Sequence, residues 1–89
     1  MRLALLLALA GCADHLQRVI DDANYCTTAD ECVDIGSKCP FGCYILVNEA
    51  EADRVQRRLE RFPTTCAYDC VVPGPITCTA EGRCEMEFE

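Results

Sequence analysis

The chain has 89 residues and a formal net charge of -7, with nine cysteines, no tryptophan and only three tyrosines and three phenylalanines. So short a chain makes one small domain, and a core this poor in aromatics needs covalent staples. The acidic balance argues against nucleic acid as a partner, because phosphate binding needs a basic footprint, and the cysteine density points to an oxidising compartment.

Arg2 is followed by an apolar run of eight residues, Leu3 to Ala10 (LALLLALA). That is too short to cross a bilayer as a helix and the right size for the apolar region of a signal peptide. The run ends in Leu9, Ala10, Gly11 and Cys12, which resembles the lipobox of bacterial lipoproteins. The resemblance implies a signal peptide over residues 1–11, cleavage before Cys12, a diacylglyceryl group on the Cys12 sulfur and an acyl chain such as palmitate on the new amino group. At about 0.8 kcal/mol per buried methylene, two or three chains anchor a protein without a transmembrane helix. The membrane partner implied is a bacterial one, reached through the lipid on Cys12, with the protein on the periplasmic or surface face of the cell envelope. A lipid on Cys12 also leaves an even number of cysteines for pairing.

Residues 12–25 read as the lipidated cysteine and a short helical tether. Leu16, Val19, Ile20 and Ala23 fall at i, i+3, i+4 and i+7, one face of a helix. About three turns of helix are marginal alone, and leaving Leu, Val and Ile exposed together is costly. Docking of this stripe on the domain is therefore expected over a free stalk.

Residues 26–89 form the cysteine domain. A polar turn at Thr28 to Glu31 leads into a short strand at Cys32 to Ile35. Gly36, Pro40 and Gly42 make GSKCPFGC a loop. The run YILV, Tyr44 to Val47, fits a buried strand or an early helical turn, and periodicity does not separate them. Asn48 to Phe62 is the strong helix: Asn48 can cap it with Glu51 at the third helical position, arginines fill its last turn, and Pro63 follows. Ala52, Val55, Leu59 and Phe62 make its apolar stripe. At the end of the chain CEMEFE alternates, with Cys84, Met86 and Phe88 on a half-buried face and glutamates opposite. A three-residue loop, Ala80, Glu81 and a left-handed Gly82, pairs Cys78 with Cys84 and Ile76 with Met86 and so keeps the apolar partners on one face.

Cys26, Cys32, Cys39, Cys43, Cys66, Cys70, Cys78 and Cys84 are expected in four structural disulfides. The twin spacings Cys39-x3-Cys43 and Cys66-x3-Cys70 would suit a helical hairpin, but Pro40 and Gly42 oppose one. Zinc knuckles and redox motifs usually carry two residues between their cysteines. No metal and no cofactor are expected. The pairing is open among about 105 arrangements; a bracket in which Cys39 or Cys43 joins Cys66 or Cys70 would tie both ends of the central helix. The spacings also resemble the small eight-cysteine domains of predicted bacterial lipoproteins: Cys26 and Cys32 with Asp30 between them, CPFGCYILVN at 39–48, a helix, CAYDC and CTAEGRC. That resemblance implies no activity.

The fold expected is α+β: a small disulfide-rich domain with one central helix on a two- or three-stranded antiparallel sheet. An enzyme is hard to assemble from it, since His15 is the single histidine and Ser37 the single serine. Two surfaces could bind. Arg54, Arg57, Arg58 and Arg61 gather on one flank of the central helix and could meet anionic lipid headgroups, an acidic polysaccharide or an acidic protein patch. The alternative is a solvated face with local pairs such as Asp53 with Arg57. The loop Val71 to Ile76, braced by two prolines, has the rigid extended character of an inhibitory loop. The function expected is a noncatalytic, lipid-anchored interaction module of the envelope, its partner an unknown envelope protein or glycan; the second reading is a lipid-anchored protease inhibitor using that loop.

Overall fold

The computed structural model describes residues 2–64 and 66–88, with side chains from residue 12 onward. Its elements in chain order are α1 (Arg2–Ala23), β1 (Cys32–Asp34), β2 (Leu46–Asn48), α2 (Ala52–Arg61), β3 (Ile76–Cys78) and β4 (Cys84–Met86), with short 3-10 turns at Ala29–Glu31 and Glu49–Glu51. The α+β disulfide-rich class is the one expected. Its strands form two antiparallel ribbons, β1 with β2 and β3 with β4, where one sheet was anticipated, and a second helix shares the core.

The stripe on α1 packs as its periodicity requires. Leu16, Ile20 and Ala23 are buried against Ile45, Val47, Val55 and Leu59, with Val19 partly buried beside them. The segment expected to tether the domain is thus part of its core, in a helix continuous from Arg2. No described helix is long and apolar enough to cross a membrane. Ordinarily a helix ends in basic residues that answer its orphan carbonyls; α1 has none in its last turn. Arg83 supplies the charge from the distant hairpin, its Nη1 donating to the Asp21 carbonyl at 2.9 Å.

Leu46 and Val47 of YILV lie in β2, with Tyr44 and Ile45 leading into it, and the burial shows why the pattern was ambiguous. Ile45 and Val47 face the two helices, while Leu46 faces a second cluster built from Cys26, Cys32 and Cys84. A strand covered on both sides loses its alternation and reads as a continuous apolar run. Its register pairs Cys32 with Asn48, Val33 with Val47 and Asp34 with Leu46.

Asn48 caps the turn into α2, its Oδ1 accepting from the Ala50 amide at 2.9 Å while its Nδ2 donates to the Tyr25 carbonyl at 3.1 Å. The first turn there is 3-10, and Glu51 pairs with Arg54 and Tyr25 instead of closing a capping box. On α2, Val55 and Leu59 are buried and Ala52 and Phe62 pack against the same cluster. Phe62 meets Phe41 edge to face, with ring centroids 5.0 Å apart.

The second hairpin has the expected register, Ile76 with Met86 and Cys78 with Cys84, and Gly82 takes φ 80° in its loop. A residue with a Cβ is strained at that angle, so glycine is the residue the turn asks for. The acidic alternation at the end of the chain holds only as far as Met86. Phe88 lies beyond β4 and is 54% exposed, where a half-buried position was expected. Its ring leans on Tyr44 at 5.7 Å and has no strand partner to cover it.

All eight cysteines of the domain are paired: Cys26–Cys78, Cys32–Cys84, Cys39–Cys66 and Cys43–Cys70. The inner two bracket α2. The sequence separations are 52 twice and 27 twice, so the bonds form two parallel double rungs. The sequence carries one signal of this pairing. Cys26-x5-Cys32 has the same spacing as Cys78-x5-Cys84, and Cys39-x3-Cys43 the same as Cys66-x3-Cys70, so each pair of bonds joins two segments of equal length.

Candidate functional site

The described residues place the sequence-derived candidates on separate surfaces. Cys12 is free and exposed on α1. His15 and Ser37 are both exposed. Cys26, Cys32 and Cys84 bring their sulfur atoms within 4.8 Å of one another, a spacing that could suit a metal ion. Each of those sulfurs is spent in a disulfide and offers no thiolate, so the donor set does not fit a metal in this oxidised form.

The arginine face on α2 is divided. Arg54 is held by Glu51 at 2.6 Å, the one ion pair among the described residues, and the local Asp53–Arg57 pair that the spacing allowed does not form. Arg57 and Arg61 are exposed and Arg58 is half-buried. Glu51 also accepts from the Tyr25 hydroxyl at 2.9 Å. These bonds, Arg54 first and Tyr25 second, hold the Glu51 carboxyl below the usual range, and the same contact raises the Tyr25 phenol. Glu31 is lowered in a similar way by the backbone amide and hydroxyl of Thr27 and the amide of Thr28.

A pH dependence follows with a definite sign. A carboxyl whose native pKa is depressed contributes stability that is present above its unfolded value and lost as pH falls through the native one. Stability is therefore expected to decline as the pH drops past the ordinary glutamate value of about 4.3. The decline should be shallower in a Glu31→Gln, Glu51→Gln double variant, as urea titrations at stepped pH would show. Equal slopes in the two proteins would remove these residues from the acid transition.

The loop Val71 to Ile76 stands out from the surface. Val71 is 67% and Val72 86% exposed, yet both ends are pinned, Cys70 to Cys43 and Cys78 to Cys26. The loop also leans on the tail: Pro75 accepts from the Glu87 amide at 2.9 Å, and a Cβ at Gly74 would overlap the Glu87 carbonyl oxygen. Only glycine allows that approach.

Beside this loop lies a surface that sequence reasoning missed, a groove of about 600 Å³ between α1, the approach to β2, and β4. Its apolar wall includes Ile20, Tyr44, Leu46, Met86 and Phe88, and its polar side chains include Asp21, Asp69 and Glu85. Among the described residues, no lysine or arginine lines it. No local pattern announces such a site, because its walls come from segments that the disulfides and α1 bring together. The ladder bonds place one strand edge beside it. Thr79 donates to Arg83 and Glu87 to Pro75, so Cys84 and Met86 alternate with these pairs and turn their backbone polar groups away from β3. At Cys84 that edge is taken by Asn24: the Cys84 amide donates to Oδ1 at 2.6 Å, and Nδ2 donates to the Cys84 carbonyl at 3.1 Å. This also explains why β4 adds no strand at that point, although β2 lies nearby.

Comparison with known protein families, with curated proteins and with solved structures finds no match for this chain.

Proposed function

We propose that the protein is a noncatalytic, lipid-anchored interaction module of the bacterial cell envelope, held to the membrane through Cys12. The observation that carries the reading is the division of the cysteines: eight are in disulfides, and the ninth, free and exposed, ends the Leu9-Ala10-Gly11-Cys12 motif. Leu16, one helical turn after Cys12, is already in the core. At about 1.5 Å per helical residue, a lipid on Cys12 would hold the domain within about 6 Å of its anchor point, with little freedom to swing.

Intact mass of membrane-extracted protein tests this. The expected species begins at an acylated Cys12 and alkylates at eight cysteines only after reduction. Cys12→Ser should keep the leader and move the protein out of the acylated pool. An unacylated native chain would overturn the anchor, and thiols reactive before reduction would overturn the staples.

The inhibitor reading keeps one specific observation in its favour, the exposed and doubly pinned Val71-Val72 tip. A rigid apolar tip has already lost the ordering entropy that association demands. Inhibition of a panel of envelope proteases, abolished by Val72→Asp alone, would establish it; no inhibition of any would remove it.

A further inference from the structure

We infer that the groove beside β4 binds an extended polypeptide segment in which apolar residues alternate with lysine or arginine, taken up by strand addition at Met86. The inference deepens the interaction-module reading and rests on it, but it does not depend on the lipid at Cys12.

The first reason is the edge itself. Met86 turns its amide and carbonyl away from β3, and among the described residues neither finds a backbone partner. An unpaired edge is a template for another strand. The second reason lies one step along the same edge. The side-chain amide of Asn24 has the donor and acceptor of a peptide group, and it already holds both polar groups of Cys84 as a neighbouring strand would. A peptide adding at Met86 would continue a pattern that the protein itself begins.

The third reason is charge. Asp21, Asp69 and Glu85 are all exposed along the groove and, among the described residues, no lysine or arginine lines it, so an anionic occupant would meet repulsion and a cationic one attraction. The wall between them is apolar and aromatic. In a strand, alternate side chains point to opposite faces; one set can therefore fill the apolar wall while the other reaches the carboxylates. Finally, Cys43, Cys70 and Cys84 line the groove and belong to two different disulfides, which fix its walls before anything binds.

The test uses the full chain in zwitterionic detergent and three labelled heptapeptides: alternating Lys and Val, alternating Glu and Val, and the Lys-Val peptide N-methylated along one edge. Anisotropy titrations should show saturable binding of the Lys-Val peptide that weakens with salt. The Glu-Val and N-methylated peptides should bind at least about tenfold more weakly, the scale of a few cross-strand contacts. The Met86 amide should gain protection from hydrogen exchange. Asp69→Lys with Glu85→Lys changes two exposed side chains and should weaken the Lys-Val peptide by at least the same factor. Absence of binding, or binding indifferent to N-methylation or to this charge reversal, overturns the groove.

Photo-crosslinking in the intact envelope separates this failure from failure of the broader reading. Crosslinkers replacing Glu85, Val72 and Arg58 in turn are expected to capture a polypeptide from Glu85. Adducts from Val72 or Arg58 with none from Glu85 would overturn the groove and leave an interaction module. A glycan adduct at Glu85 would overturn the peptide assignment, and no adduct at any position would overturn both.

Discussion

Replacing Cys32 and Cys84 together by alanine lowers the unfolding free energy by about 3 kcal/mol and leaves a folded protein, whereas removing Cys26–Cys78 as well costs about 4 kcal/mol more and abolishes folding. The asymmetry comes from the double rung. Cys26 and Cys78 lie six residues before Cys32 and Cys84 respectively, so the two bonds and the chain between them enclose a ring of roughly a dozen residues. Cutting one rung frees only that small ring. The second cut opens a larger ring, about 27 residues closed through the intact Cys43–Cys70 bond, and a domain this small has no reserve of burial to replace it. Urea unfolding of the single-rung and double-rung variants, with disulfide mapping of each, measures the two steps. A single-rung variant that is already unfolded, or whose remaining cysteines pair differently, would contradict the parallel ladder.

Leu16→Ala should cost about 3 kcal/mol, the usual loss for deleting a buried leucine side chain. Leu16 is 4% exposed and packs with Ile20 and Ala23 against β2 and α2. Leu16→Met keeps most of the volume and should cost less than about 1.5 kcal/mol, and Arg18→Ala on the exposed side should stay within about 0.5 kcal/mol. The consequences extend beyond stability. Loosening α1 withdraws Ile20 and Asp21 from the groove and releases the Asn24 amide from Cys84. Hydrogen exchange at the Cys84 amide should therefore accelerate in Leu16→Ala alone among the three. Near-neutral stability for Leu16→Ala would mean that α1 stands free of the domain in solution.

Much of this architecture is written locally. The α2 stripe, the Asn48 cap and the β3–β4 register follow from periods of 3.6 and 2 and from one glycine-bearing loop, all contained within about a dozen residues. The helical stripe at Leu16 to Ala23 is equally legible, since its apolar side has to be covered by something. Phe88 shows where local pattern misleads: alternation carries on past Met86, but the pairing partner does not, and the ring is left 54% exposed.

The sequence by itself determined the helices, the loop between Gly36 and Gly42, the final hairpin and the need for disulfides, because each depends on near neighbours or on composition. Tertiary structure alone decided which cysteines meet, that YILV leads into a strand buried on both faces, and that Asn24 seals β4 at Cys84. It also made the groove, which joins residues from Gln17 to Phe88 that share no period. A period records only which way side chains point along one element; the pairing of distant elements depends on how their surfaces fit together in space.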